Sequence, residues 1–95
     1  MSVTAPYLPE RRAATIAAMH VVLYSRPGCH LCDAARDVIL AERGRADFTF
    51  EEVDIEGSDD LLKEYGVRIP VVVVDGRERF EIEVDPRGFA DLVRS

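Results

Sequence analysis

The sequence predicts an α/β fold, with a mixed four-stranded sheet flanked by three helices in the order β-α-β-α-β-β-α. Strand-like apolar runs alternate along the chain with segments whose apolar residues have helical spacing. Asp75-Gly76 joins two of the runs directly and is typical of a hairpin turn. The 95 residues, 47% hydrophobic and 32% charged, have the size and composition of one globular domain.

The first strand is predicted at Val21–Tyr24, an apolar run that ends in the turn Ser25–Gly28. The residues that follow have apolar side chains at intervals of three and four, the spacing of an amphipathic helix. We expect this helix to end near Gly44, with Arg43 and Arg45 in its last turn. Its predicted inward-facing residues are Leu31, Ala34, Ala35, Val38, Ile39 and Ala41.

A second strand and a second helix come next. Polar residues separate the apolar residues of the strand, which predicts that it is half-buried. Ser58 is the predicted N-cap of a helix over Asp59–Tyr65, which has acidic residues in its first turn and stops at Gly66. Because a helix separates the first two strands, we expect them to be parallel. The apolar residues of the second strand are Phe48, Phe50 and Val53.

A hairpin and a third helix complete the predicted fold. Val71–Val74 is a fully apolar strand, and the turn after it makes the next strand antiparallel. Asp85 is the predicted N-cap of the last helix, and Pro86 occupies its first position. The second strand of the hairpin is expected to alternate through Phe80, Ile82 and Val84. The last helix is expected to face inward with Phe89, Ala90, Leu92 and Val93.

The charge balance argues against nucleic acid as a partner. Eighteen acidic and twelve basic residues give a formal net charge of −6. The charge is uneven, since residues 1–45 have a net charge of +2 and residues 46–95 a net charge of −8. No stretch of about 18 apolar residues is present, so the sequence predicts no membrane span.

Residues 1–19 are expected to form an N-terminal extension, flexible or folded as a short helix, ahead of a domain over residues 20–95. Arg11-Arg12 before an alanine-rich run has some likeness to an export signal, but cleavage there would cut into the domain. We therefore expect a cytoplasmic protein, for which Met19 is an alternative start.

Cys29 and Cys32 lie where the first strand gives way to the first helix. At positions i and i+3 of a helix, two sulfurs share a face and are close enough to form a disulfide. The thiolate is the nucleophilic form of cysteine, and a helix N-terminus with neighbouring cations favours it. Arg26 and His30 are the nearest candidate cations. We interpret Cys29 as the nucleophile and Cys32 as a buried resolving thiol.

Other interpretations of these motifs are open at this point. Two cysteines three residues apart can be structural, since free cysteine is often buried. A structural zinc site takes four ligands, which one pair does not supply, although a metal shared across a dimer would use the same pair. Ile69-Pro70 precedes a central strand, where proline is unusual, and is either an ordinary strand-initiating proline or a cis proline.

Taken together, the motifs resemble a known family. Leu23–Cys32, Val53-Asp54 and Val67–Val72 are similar to the matching segments of glutaredoxins, within the thioredoxin superfamily. The resemblance covers about Val21–Arg94 and is closest to small bacterial glutaredoxin-like proteins with a C-x-L-C motif. It implies a thioredoxin-like (glutaredoxin) fold. The absence of a tryptophan before Cys29 distinguishes the chain from thioredoxins proper.

The resemblance also implies roles for individual residues. Cys29 and Cys32 correspond to the nucleophilic and resolving cysteines, and Pro70 to the cis proline that faces the disulfide. His30 and Leu31 replace the usual Pro-Tyr between the cysteines, and no Gly-Gly pair precedes the last helix. The positions that correspond to glutathione-binding residues are Arg26 for the glycine carboxylate, Arg68 and Ile69 for the cysteine backbone, and Asp85 for the γ-glutamyl amine.

The expected function is disulfide reduction by a Cys29–Cys32 dithiol through a mixed disulfide. We expect no bound cofactor and no metal, with glutathione or another low-molecular-weight thiol as a co-substrate. The expected partners are a disulfide-bearing protein or small thiol and a reductase or thiol that donates electrons, and the chain is expected to act as a monomer. The alternatives are a metal or iron–sulfur carrier and a degenerate thioredoxin-fold domain that binds proteins.

The site is expected to be locally positive despite the acidic chain. Arg26 and His30 flank Cys29 in sequence, and Arg68 is expected to lie opposite. The negative charge is expected on a remote surface, chiefly Glu51–Glu64.

Overall fold

The computed structural model describes residues 19–94, which form a mixed four-stranded sheet and three α-helices. The elements are β1 (Met19–Ser25), α1 (His30–Glu42), β2 (Phe48–Asp54), a short 3-10 helix (Ile55–Gly57), α2 (Asp59–Tyr65), β3 (Val71–Val74), β4 (Arg77–Glu81) and α3 (Pro86–Arg94). The strand order is β2-β1-β3-β4, with β1 and β2 parallel and the other pairs antiparallel. The predicted fold class and element order are confirmed. The predicted extension over residues 1–19 lies, apart from Met19, outside the described residues.

Strand pairing brings three chain segments to one end of the sheet. In the parallel pair, Ser25 at the end of β1 lies opposite Asp54 at the end of β2. In the antiparallel pair, Tyr24 lies opposite Val71, the first residue of β3. The turn that carries Cys29 and the loop that leads into β3 therefore meet at the same edge.

The core lies between one face of the sheet and the helices α1 and α3. The Phe89 ring of α3 packs edge-on against Phe48 of β2, with a centroid distance of 5.8 Å. Full burial of each large apolar side chain contributes about 1.5–3 kcal/mol. No helix within residues 19–94 is long and apolar enough to cross a membrane. The buried cluster comprises Val21, Leu23, Ala35, Ile39, Phe48, Val72, Val74, Val84, Phe89 and Val93.

The bounds of α1 differ from the prediction. The helix begins at His30, with Cys29 as N-cap, and ends at Glu42 with Arg43 as C-cap. The expected placement of Arg43 and Arg45 in the last turn is wrong. The hydrogen bonding tightens at this end, since the backbone N–H groups of Arg43 and Arg45 donate to the carbonyls of Leu40 and Glu42, each three residues back.

The buried face of α1 is also narrower than predicted. Leu31, Ala34 and Ala41 are exposed, so their predicted inward orientation is wrong. A single stripe of the helix contacts the sheet, and it includes Glu42, a charged residue. Its carboxylate is buried because Arg94 of α3 donates to both oxygens, at 2.9 and 3.2 Å. The buried residues of α1 are Cys32, Ala35, Ile39 and Glu42.

Two predicted strands differ from the structure in detail. Val53 lies on the opposite face of β2 from Phe48 and Phe50, because side chains alternate along a strand. The predicted alternation of β4 through Ile82 is wrong, since the strand ends at Glu81. Ile82 has a φ of +70°, a left-handed conformation that a β-branched residue rarely adopts. The short 3-10 helix after β2 was not predicted.

The predicted caps and turns are confirmed. The Ser58 hydroxyl accepts a hydrogen bond from the Leu61 N–H at 3.3 Å, as expected of an N-cap. Asp85 caps α3 in the same way, since its Oδ2 accepts from the Gly88 N–H at 2.8 Å. Asp75 and Gly76 have φ values of 52° and 83°, and φ is positive at both central residues of a type I′ hairpin turn.

Candidate functional site

The Cys29 sulfur caps the N-terminus of α1. Cys29 has an extended backbone, with φ −97° and ψ 109°, and its Sγ accepts a hydrogen bond from the Cys32 N–H at 3.1 Å. Cys29 is half-buried and Cys32 is buried, so Cys29 is the more accessible cysteine of the pair. An N–H directed at a sulfur from a helix N-terminus stabilises negative charge on it. The geometry therefore places a hydrogen-bond donor at the more exposed sulfur of the pair.

Cys32 is fully buried, one turn into the helix. Burial first, and then the hydrogen bond with the Cys29 side chain, raise the pKa of its thiol from 9.0 to about 12. The Arg26 backbone and the Arg36 guanidinium act in the opposite direction and lower the pKa of Cys32. The pair thus has an accessible sulfur in front and a protonated thiol behind it.

The loop that leads into β3 is fixed by its backbone at the edge of the site. The Ile69-Pro70 peptide bond is cis, as the resemblance implies, and Pro70 is buried. The Ile82 N–H donates to the carbonyls of both Arg68, at 3.1 Å, and Pro70, at 2.8 Å. The left-handed backbone at Ile82 orients this N–H toward the loop. Ile69, which lies in the sequence between Arg68 and Pro70, is half-buried.

Both arginines predicted near the substrate are paired with glutamates. The Arg26 guanidinium donates to Glu56 at 3.1 and 3.2 Å. Arg68 donates to Glu78 at 2.7 Å and to Glu64 at 3.1 Å. The expectation that the acids of residues 51–64 lie on a remote surface is therefore wrong for Glu56 and Glu64. These carboxylates offset much of the positive charge that the sequence placed around the site.

A polar network that the sequence did not predict flanks the first turns of α1. The buried Ser25 hydroxyl donates to Glu52 at 2.7 Å, and Arg36 donates to both oxygens of Glu52 at 2.7 and 2.6 Å. A third bond joins Arg36 to Asp33 at 2.9 Å. The Arg36 guanidinium, and secondarily the Ser25 hydroxyl, lowers the pKa of the Glu52 carboxyl. Together these residues line a cavity of about 360 Å³ beside the turn that precedes Cys29.

Two signals in the sequence point to this network. Glu52 is two residues after Phe50 on a strand, so it shares the inward face with that residue. Arg36 is four residues after Cys32 on a helix, so the two side chains are neighbours on one face. Neither signal identifies the partner, because Glu52 and Arg36 are 16 residues apart in the chain.

The remaining predicted site residues lie at the same end of the molecule. His30 is the exposed first residue of α1. Asp85 lies at the start of α3, and one of its carboxylate oxygens is engaged in capping that helix. In the part of the chain that the structure describes, no three His, Cys, Asp or Glu side chains are grouped so as to hold a metal ion.

Comparison with known proteins adds sequence relatives to this geometry. A family model described as a glutaredoxin-like domain (DUF836) matches residues 20–93. Uncharacterized proteins from Mycobacterium tuberculosis and Mycobacterium bovis are 33% identical over 81 residues, which cover 79% of this chain and 84% of theirs.

Solved structures share the fold. A protein from Nitrosomonas europaea matches with a TM-score of 0.71 and 23% identity, over 85% of this chain and 98% of that one. A protein from X. campestris matches with a TM-score of 0.64 and 33% identity, over 76% and 92%. A mutant thioredoxin from Halobacterium salinarum matches with a TM-score of 0.60 and 22% identity, over 79% and 71%. The chain therefore belongs to the glutaredoxin-like (DUF836) family and has a thioredoxin-like fold.

Proposed function

We propose that this protein is a thiol–disulfide oxidoreductase that reduces disulfides with the Cys29–Cys32 dithiol. The observation that carries the proposal is the pairing of an accessible Cys29 sulfur, which accepts the Cys32 N–H, with a fully buried Cys32 thiol. An accessible thiolate attacks an external disulfide, and a buried thiol one turn away resolves the product.

The reaction takes place in two exchanges. In the first, the Cys29 thiolate attacks one sulfur of the substrate disulfide, a Cys29–substrate disulfide forms, and the other substrate sulfur leaves as a thiolate. In the second, the Cys32 sulfur attacks the Cys29 sulfur, the Cys32 proton passes to the departing substrate sulfur, and that sulfur leaves as a thiol. The protein ends with a Cys29–Cys32 disulfide, and two electrons have passed to the substrate.

The oxidised pair must be reduced again before another cycle. The electrons for this step come from glutathione, from another low-molecular-weight thiol or from a reductase, and the protein itself carries no bound cofactor. This chemistry fits a monomer in the reducing environment of the cytoplasm, where thiols of this kind are maintained.

The proposal is tested by a product analysis in a single turnover. Reduced protein is mixed with excess insulin, quenched in acid and digested for mass spectrometry. We expect one Cys29–Cys32 disulfide to form for each insulin disulfide reduced, and protein alkylated beforehand with iodoacetamide to be inert. Insulin reduction that leaves both cysteines as thiols, or no reduction at all, would contradict the proposal.

Within this mechanism, Arg36 assists the second exchange through electrostatics. Cys32 must ionise in a buried position, and burial opposes that ionisation. The Arg36 guanidinium, fixed by Glu52 and Asp33, provides positive charge on the same side of the helix. Arg36 is therefore a positioning residue that acts through the charge at Cys32.

Replacing Arg36 with glutamine is expected to slow the second exchange about twofold to threefold at pH 7, since loss of this charge interaction raises the pKa of Cys32. The rate is measured by stopped flow as release of a chromogenic thiol from a preformed Cys29 mixed disulfide. Arg36→Lys should recover part of the rate, and Arg45→Gln, on an exposed arginine past the far end of α1, serves as the control. A purely structural role would predict the same pH profile as wild type, with no recovery by lysine.

A further inference from the structure

An apolar groove opens beside the Cys29–Cys32 pair, on the side of α1 opposite the network formed by Ser25, Arg36, Glu52 and Asp33. It has a volume of about 490 Å³ and runs between α1 and the segment that joins β4 to α3. Leu31, which lies between the two cysteines, forms one wall at its mouth and is 45% exposed. Val38 continues that wall, and Phe80 and Val84 form the other. The volume is within the range of pockets that enclose small ligands or side chains.

The charged residues that line this groove are both acidic. Glu83 and Asp85 lie on the wall opposite α1. Within residues 19–94, neither of them forms an ion pair with an arginine or lysine. A groove with apolar walls and unpaired carboxylates on one side complements an apolar group that has a cation next to it.

The same charges disfavour glutathione at this position. Glutathione carries two carboxylates and one ammonium group, and no lining residue of the groove is an arginine or lysine. Arg26 and Arg68, the arginines that the family resemblance assigns to glutathione, are already paired with glutamates. A carboxylate ligand would have to compete for those arginines and would approach Glu83 and Asp85 as a like charge.

We propose that this groove binds the polypeptide next to the target disulfide of a substrate protein, and selects a large apolar side chain followed by lysine or arginine. This inference rests on the proposed function of the Cys29–Cys32 pair, because the groove includes Leu31, which lies between the two cysteines in the first turn of α1. The apolar side chain packs between Leu31 and Phe80, and the cation lies at Glu83. Selection then takes place in the first exchange, in which the substrate disulfide must lie against Cys29.

The inference is tested with two matched peptide disulfides and a charge reversal. One peptide has the sequence Gly-Cys-Leu-Lys-Gly and the other Gly-Cys-Ser-Glu-Gly, each as a disulfide-linked dimer, with glutathione disulfide as a third substrate. For each substrate, the rate with the protein is divided by the rate at which dithiothreitol reduces the same disulfide. This ratio corrects for differences in the intrinsic reactivity of the three disulfides. We expect kcat/KM for the Leu-Lys peptide to exceed those of the other two about tenfold, and salt to reduce the difference.

The Glu83→Lys variant is expected to lower the preference for the Leu-Lys peptide about fivefold, because an attraction is replaced by a repulsion. Asp47→Lys is the matched control, since it changes the net charge equally at an exposed residue before β2, at the opposite end of the sheet. Equal preference among the three substrates, or the same loss in both variants, would overturn the inference.

A binding measurement separates this inference from the proposed function. Fluorescently labelled Gly-Ser-Leu-Lys-Gly, in which serine replaces cysteine, cannot undergo exchange but can occupy the groove. Wild type is expected to bind it more tightly than Glu83→Lys by about fivefold. Tighter binding to wild type without any disulfide reduction supports peptide binding in the groove and contradicts the proposed function. Disulfide reduction with equal peptide binding by wild type and Glu83→Lys overturns peptide binding in the groove.

Discussion

Replacing Cys29 with serine is expected to abolish disulfide reduction, by a factor of about 1,000 or more, because a serine hydroxyl is a far weaker nucleophile than a thiolate. In the proposed mechanism Cys29 provides the attacking sulfur, and the Cys32 N–H donates a hydrogen bond to that sulfur at 3.1 Å. The measurement is insulin reduction with dithiothreitol as electron donor. Retention of more than a few per cent of the wild-type rate would mean that Cys29 is not the nucleophile.

The Cys32→Ser variant is the matched comparison, since it makes the same change at the other sulfur. The first exchange should proceed, because Cys29 remains, and the second should stop. We therefore expect a mixed disulfide between Cys29 and the substrate to accumulate toward one equivalent, detected by intact-protein mass spectrometry. No adduct in Cys32→Ser, together with full activity, would contradict the resolving role of Cys32 and favour a mechanism that uses one cysteine.

Local patterns were sufficient to predict most of the fold. Ser58 and Asp85 are followed by helices and cap them, because a cap depends on residues only three positions apart. The hairpin turn at Asp75-Gly76 was predicted because it too depends on residues that are adjacent in the sequence. The position of Cys29 at the start of α1 follows from the turn residues before it. Features of this kind need no information from distant parts of the chain.

The parts of the site that the sequence did not reveal depend on distant partners. A hydropathy pattern predicts that Glu42 is exposed, and its two hydrogen bonds from Arg94, 52 residues away, stabilise the buried carboxylate. Glu52 and Arg36 likewise become a unit only when β2 and α1 are brought together. Arg26 and Arg68 have positions consistent with the family resemblance, but the glutamates that pair with them come from other elements. Their contact with a substrate stays a prediction.

The reduced protein is expected to lose stability between about pH 9 and pH 12 because of Cys32. Burial first, and then the hydrogen bond with Cys29, raises the pKa of the folded thiol from 9.0 to about 12. Below pH 9 the thiol is protonated in both the folded and unfolded states, and its contribution to stability is complete. Above pH 9 it ionises in the unfolded chain alone, so the free energy of unfolding falls by at most about 1.4 kcal/mol per pH unit until pH 12.

A comparison of variants isolates this effect from other groups that titrate at high pH. Burial also raises the pKa of Tyr65, so the ionisation of this residue likewise lowers the free energy of unfolding at high pH. That contribution is present equally in a Cys32→Ala variant. Urea unfolding of both proteins under a phosphine reductant, from pH 8 to pH 11, should therefore give a difference that shrinks by about 2–3 kcal/mol. Parallel curves would mean that solvent reaches Cys32 in the folded protein. The resolving thiol would then ionise readily, and the second exchange would need no help from Arg36.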